Sequence, residues 1–288
     1  MEKLIVATRG SRLALVQTEI VCRMLADVGV ETEIRTITTA GDRDRIHALV
    51  KIGGRGIFVR EIERELLCGE ADIAVHSAKD LPYQLAEGLL IAGTPRAADP
   101  RDALVLLQGK ELCPGDVVGT GSPRRIQEIH RQLPELSFRD IRGNVTTRLH
   151  KLERGEYAAI VLAMAGIERL GLDMDRFQVL PFAVDQVIPA GCQGIIGIEC
   201  RKGDKDLVRL LQQITDPETW RRFRWERKLF CSMKVDCSCP VGIHCRLGDK
   251  EQMEIMAMVD GKRAQRMGKE KNGTALCESL KEELYDGR

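Results

Sequence analysis

Through the first 215 residues, short apolar runs of strand length alternate with stretches whose apolar positions recur every three or four residues. This pattern predicts α/β architecture, with largely parallel sheets covered by helices. The opening segment shows the rule. Leu4 to Ala7 is a buried-strand run, Ser11 stands where an N-cap belongs, and Leu13, Val16, Ile20, Met24 and Leu25 form one helical stripe that Gly29 ends. Ile57 to Leu67 then reads as a helix closed by Gly69, and Asp72 to His76 as a strand. The polar, glycine-bearing stretch Gly41 to Gly56 is the best candidate for a mobile loop.

Pro95 to Arg101 is turn-rich and marks a crossing into a second domain. There the pattern restarts. Val117 to Thr120 reads as a strand, Ser122 as an N-cap, and Pro123 to Leu133 as a helix with proline in its favoured first position. Ile160 to Ala163 is a strand and Met164 to Leu170 a helix. Both halves thus place a strand, a polar turn and a helix N-terminus in succession, which presents backbone N–H groups to anions. Two lobes of this kind suit an acidic ligand. Ile195 to Ile198 is a further strand, whose partner sheet the pattern does not specify, and a helical segment follows around Leu207 to Ile214. From Asp216 the character changes to a charged helix bearing Trp220, Phe223, Trp225 and Phe230, a cysteine-rich turn, alternating strands and a last helix. This predicts a small α+β domain. No internal repeat stands out.

Composition narrows the function classes. With 43% apolar and 30% charged residues the chain is typical of globular proteins, and its 288 residues favour two or three domains over one core. The opening MEKLIVATRG has only a four-residue apolar run before Arg9, too short for a secretory signal, and no run approaches the roughly 20 apolar residues of a membrane span. A cytoplasmic location without membrane partners is expected. Net charge near +1 gives no field for nucleic acid, so anion recognition must come from local clusters. The ten cysteines, irregularly spaced in a long chain, are read as mostly reduced thiols, with Cys22, Cys68, Cys113, Cys200 and Cys277 inert.

Three groups of residues carry candidate chemistry. VHSAKDLP (Val75 to Pro82) puts His76, Ser77, Lys79 and Asp80 at the C-terminal end of a predicted strand, where ligands bind in α/β sheets. A carboxylate there can hold an amine or pyrrole N–H groups, and the lysine can pair with ligand carboxylates. An ordinary polar loop is the equally simple reading of the octapeptide alone. Arg9, Arg124, Arg125, Arg142 and Arg148 recur at strand-to-helix turns, and their planar forks suit a polycarboxylate, although any one of them alone reads as a solvated surface residue. Cys231, Cys237, Cys239, His244 and Cys245 lie within fifteen residues, so a zinc site must be weighed. They contain no C-x-x-C pair, and a lone reactive thiolate on the turn is the sharper reading, with no metal expected.

Taken in order, ATRGSRLALVQ (from Ala7), KIGGRGIFVREIE (from Lys51), ADIAVHSAKDLP (from Ala71), DPRDAL (from Asp99), VGTGSPRR (from Val118), IRGNVTTRLHKL (from Ile141), LAMAGIERLGL (from Leu162) and CQGIIGIECR (from Cys192) resemble the porphobilinogen deaminases (hydroxymethylbilane synthases) over almost the whole chain. The resemblance implies two lobes similar to the type II periplasmic-binding fold with two crossovers, plus a small α+β C-terminal domain. The expected division is residues 1–95 with 193–214, then 96–192, then 215–288. It implies a transferase of tetrapyrrole and heme biosynthesis that joins four porphobilinogen molecules head to tail with loss of ammonia, giving hydroxymethylbilane. The primer would be a dipyrromethane cofactor, bound by a thioether to Cys237 in CSCPVG.

The resemblance makes Asp80 the central acid/base. The cofactor would be held by Lys79, Asp80, Thr120, Ser122, Arg124, Arg125, Arg142 and Gly143, and substrate by Arg9, Ser11, Phe58, Arg148 and Gln193. The Gly41 to Gly56 loop, with Arg55 and Phe58 at its end, would exclude water. A monomer is expected. One departure stands out: the family commonly has two glycines before the attachment cysteine, and here Val235 and Asp236 take their place, which keeps Cys239 as an alternative anchor. The third domain is also short for the family. The rival reading is a two-lobed polycarboxylate-binding receptor or effector sensor of the same fold, which needs the arginines but neither Asp80 nor Cys237.

Overall fold

In the computed structural model, residues 3–38, 59–234 and 239–285 are described. The chain divides into two compact units, Met1–Ala97 with Ile195–Arg224 and Ala98–Gly194 with Trp225–Arg288.

The first unit is built on β1 (Leu4–Arg9), β2 (Thr32–Ile37), β3 (Ile73–Ser77) and β4 (Leu89–Gly93), with α1 (Arg12–Asp27) and α2 (Arg60–Leu67) between them. β1 pairs in parallel with both β2 and β3. The strand left without a partner by the sequence pattern lies here: the later strand Ile196–Arg201 enters between β3 and β4, antiparallel to both. Alternation along the strands gives each sheet face its own core. Val6, Ile73, Val75, Ile196 and Ile198 face one way and pack with Val21 and Leu25 of α1 and with Leu207 and Leu211. Ala7 and Ala74 face the other, under Ile62 and Leu66 of α2.

The second unit repeats this plan. Its strands are β5 (Asp102–Leu107), β6 (Val117–Gly119), β7 (Ser137–Arg139), β8 (Ala159–Ala163) and β9 (Phe177–Pro181), in the order β7-β6-β8-β5-β9. β6 is parallel to β7 and β8, while β5 is antiparallel to β8 and β9. Helices α3 (Pro123–Gln132), α4 (Val145–Glu153) and α5 (Met164–Leu170) cover it, Ile129 on one face and Leu149, Leu152 and Ile167 on the other. In each sheet one antiparallel strand comes from a crossing of the chain. This is the doubly crossed, type II periplasmic-binding arrangement that the resemblance implied.

The Ile196–Arg201 strand is β10 and leads into α6 (Lys205–Gln213) and α7 (Pro217–Met233). A third, antiparallel sheet of β11 (Val241–Leu247), β12 (Gln252–Val259) and β13 (Lys262–Lys269) precedes α8 (Gly273–Tyr285). Period-2 alternation splits β12 cleanly. Ile255, Ala257 and Val259 join Leu229 of α7 and Leu280 of α8, whereas Met256 and Met258 pack on Val184 and Ile188. Gly242 makes the second contact close, since a Cβ there would sit 2.7 Å from the Ile188 carbonyl oxygen. Among the described residues no helix is long and apolar enough to cross a membrane.

Candidate active site

In the first unit the residues singled out from sequence gather at the C-terminal ends of two neighbouring parallel strands. Arg9 is the last residue of β1, and Ser11 caps α1, its Oγ accepting from the Ala14 N–H at 3.3 Å. β3 ends at Ser77 and passes directly into a single 3-10 turn, Ala78–Asp80, which carries Lys79 and Asp80. The turn is pinned from below. Ala78 N–H donates to the Ile195 carbonyl at 3.0 Å, Ser77 Oγ donates to Gln17 Oε1 at 2.9 Å, and Leu81 is buried immediately after it. Asp80 itself is exposed. A carboxylate on a rigid turn with its oxygens in solvent is free to meet a cationic or N–H-bearing ligand.

Behind this turn His76, placed by sequence among the candidates at the strand end, is instead buried in a polar group with two acids that the sequence did not single out. His76 Nε2 is 2.9 Å from Glu199 Oε2, both side chains nearly inaccessible. Glu63 of α2, which accepts from the Ala86 N–H at 3.0 Å, lies in the same field. Burial pushes its carboxyl above the ordinary value of 4.5, Glu199 adds to the rise, and the Ala86 N–H, His76 and Arg60 oppose it. A folded-state pKa above the unfolded one means that the native chain holds this proton longer, so stability falls as pH rises from 4.5 through the raised value. Glu63→Gln keeps the carbonyl acceptor and removes that fall. Its melting temperature is expected to equal wild type near about pH 4 and exceed it near about pH 8, read by thermal denaturation at both. Equal midpoints at both would count against the assignment.

The second unit gathers its set at the ends of β6 and β7. Thr120 is buried, bonded through its N–H to the Arg139 carbonyl, and its Oγ1 accepts from Ser122 N–H at 3.3 Å. Ser122 caps α3 with proline following, and Arg124 and Arg125 occupy the first turn. Both guanidiniums turn inward. Arg124 Nη2 donates to Asp102 Oδ2 at 2.7 Å and Nη1 to the Ile188 carbonyl at 2.7 Å. Arg125 Nη2 and Nε donate to Asp102 Oδ1 at 2.7 and 3.1 Å, and Nη1 to the Val161 carbonyl at 3.0 Å. Gln193 Nε2 also reaches Asp102 Oδ1, at 3.0 Å, and the Pro100 carbonyl. Burial alone would raise the Asp102 carboxyl; the two guanidiniums and the Gln193 amide more than offset it and hold it far below the usual range. A wholly buried charge is tolerated only with such partners.

Arg142, Gly143 and Arg148 stand together at the start of α4. Asn144 caps that helix, accepting from Thr147 N–H at 2.8 Å. Gly143 holds φ 114°, and a Cβ there would meet Thr147 Cγ2 at 2.7 Å, so the turn requires glycine. Arg142 is exposed and donates Nε to Asp140 at 3.0 Å; Arg148 donates Nε to the Gly143 carbonyl at 2.9 Å. Burial and the nearby Arg125 lower the Arg148 guanidinium, against Asp140. Arg142 and Arg148 therefore stand beside two capped helix N-termini, which suits carboxylates, while the Arg124 and Arg125 guanidiniums are committed to Asp102. Arg169 of α5, not singled out from sequence, is brought down to about 10 by burial and donates to the Gly194 carbonyl at 2.5 Å.

Cys237, Phe58, Arg55 and the Gly41 to Gly56 stretch lie outside the described residues. Cys239 and Cys231 are partly exposed, and Cys245 is buried in the third sheet. Burial pushes the Cys200 and Cys277 thiols up to about 11. Among the described residues no group of three His, Cys, Asp or Glu is placed to hold a metal.

A family model for "Porphobilinogen deaminase, dipyromethane cofactor binding domain" matches residues 4–209. The porphobilinogen deaminase of Streptococcus sanguinis is 42% identical over 247 residues, spanning 83% of this chain and 81% of that protein. That of Bacillus cereus is 42% identical over 266 residues, covering 90% and 85%. That of Bacillus velezensis is 38% identical over 314 residues, covering both chains whole.

Proposed function

The chain belongs to the porphobilinogen deaminase family of enzymes, and on that premise we propose that it joins four porphobilinogen molecules head to tail, on a dipyrromethane primer bound through Cys237. The observation that carries the reading is the Asp80 turn: an exposed carboxylate on a turn held by a partly buried Ser77–Gln17 bond, at the C-terminal end of β3, which is parallel to its neighbour β1. The donor set of the second unit fits the primer's class. Pyrroles bearing acetate and propionate are polyanions, and Thr120, Ser122, Arg124, Arg125, Arg142, Gly143 and Arg148 stand at one edge of its sheet, with two helix N-termini. When bound, the primer supplies a free pyrrole carbon as the nucleophile and a covalent tether.

The chain's own residues do the rest. In each condensation the aminomethyl C–N bond of porphobilinogen breaks, ammonia leaves with its electron pair, and the methylene carbon becomes cationic. Asp80 accepts pyrrole N–H bonds and offsets that positive charge as it develops. A new C–C bond forms, and the carbon that attacked loses a proton, for which Asp80 is the base. Arg9, Ser11, Lys79, Phe58 and Gln193 are assigned to substrate or cofactor carboxylates and to positioning, and addition of one water frees the finished tetrapyrrole. Residues 1–95 with 193–214, 96–192 and 215–288 are taken as the three functional domains, in a cytoplasmic monomer.

Ammonia and linear tetrapyrrole, measured after incubation with porphobilinogen, are expected in a ratio of about four to one, since each C–N cleavage frees one ammonia. Binding of porphobilinogen without ammonia release would overturn the reading in favour of a receptor.

A further inference from the structure

Within the second unit a continuous set of buried hydrogen bonds joins the third sheet to the arginine pair. Glu226 of α7 is 1% exposed. Its Oε1 accepts from the Cys245 N–H of β11 at 3.1 Å and its Oε2 from the Cys192 N–H at 2.5 Å, with His244 Nδ1 3.5 Å from Oε1. The next residue along, Gln193, donates to Asp102, the carboxylate that orders Arg124 and Arg125. The other end of the same short segment is tied in the same two directions. Ile188 gives its carbonyl to Arg124 and its N–H to Glu128 Oε2, each at 2.7 Å, and the Pro189 carbonyl accepts from Ile243 N–H of β11 at 2.8 Å. Residues 188–193 are thus a strap, bonded to β11 on one side and to the arginine pair on the other.

The strap is under constraint. Cys192 holds φ 63°, a left-handed conformation that a non-glycine residue keeps only where its surroundings impose it. Glu226 is one of the groups that hold it there, its two oxygens accepting N–H groups from two separate segments. An amide in its place offers one acceptor and turns a donor toward the other N–H.

We propose that Glu226 is a positioning residue for elongation, holding the third sheet in register with the Arg124–Arg125 pair through Cys192, Gln193 and Asp102. This rests on the reading that Cys237 anchors the primer, since β11 begins at Val241, four residues further along the chain. Slack in that register shifts the chain's carboxylates relative to the groups that hold them, and small misplacements of reacting groups are costly.

The test is intact-mass analysis of the holoenzyme during turnover, for wild type, Glu226→Gln and Glu226→Asp, beside kcat, KM and melting temperature. Glu226→Gln is expected to keep the primer's mass but to stall at the first one or two added pyrroles, with kcat down roughly 10- to 100-fold and KM little changed. Glu226→Asp, which keeps two acceptors on a shorter arm, should lie between. If the glutamine chain does not fold, the aspartate chain is decisive by itself: shortened adducts support the proposal. A folded variant with the wild-type spread of adducts overturns it, even with a lowered melting temperature, since Glu226 is then structural only. A wild-type chain carrying no pyrrole mass overturns the anchoring reading itself, a failure visible before any variant is made.

Discussion

Asp80→Asn is expected to fold as wild type, with an unchanged melting temperature, and to lose turnover by about two to four orders of magnitude. Stability is spared because Asp80 is exposed at the end of the 3-10 turn, while the bonds that fix the turn come from Ala78, Ser77 and Leu81. Activity is not spared. Asparagine preserves the shape and can still accept an N–H bond, but it neither carries the charge that offsets a developing cation nor takes up a proton. The measurement is ammonia release at saturating porphobilinogen, with circular dichroism on the same sample. Turnover within threefold of wild type would remove Asp80 from the chemistry.

Cys237→Ala is expected to give a chain of bare polypeptide mass with no turnover, whereas Cys239→Ala should keep a mass increment of two linked pyrroles and most of its activity. The two cysteines differ by position. Cys239 packs against the core of the third sheet and precedes Pro240 directly. Cys237 holds the place three residues before that proline which the family resemblance gives to the attachment cysteine. Val235 and Asp236, in place of the usual glycines, make the comparison informative: an increment lost from Cys239→Ala and kept in Cys237→Ala would exchange the two assignments.

Elements whose signal is local could be read from the sequence. β1, β3, β6 and β8 are apolar runs, and α1 and α3 carry their own caps in Ser11 and Ser122. β2 was not legible, because as an edge strand it fully buries none of its residues and shows no apolar run. The partners of β10 were not legible either, since pairing between β3 and β4 is decided by residues far away along the chain. The same holds for the site. Asp80 and the arginines were found by residue type at strand ends. The inward turn of Arg124 and Arg125 was not, for it depends on Asp102, a single acid at the head of the apolar strand β5. Glu63, Glu199 and Glu226 look like surface acids in sequence; only burial distinguishes them. The repeated plan of the two five-stranded sheets showed in the sequence only as a restart of the strand–turn–helix pattern, with no repeat of residues, because it is a repeat of connections.

The insertion of β10 between β3 and β4 also sets an order of events during synthesis. When the chain has been made only as far as Gly93, β3 and β4 exist but the strand that joins them does not, and both present open ladders. The first unit cannot close until Ile196–Arg201 has left the ribosome, after the whole stretch Ala98–Gly194. A nascent chain therefore carries Asp80 on an unfinished sheet for as long as that stretch takes to translate, and this is the interval in which a chaperone has most to protect.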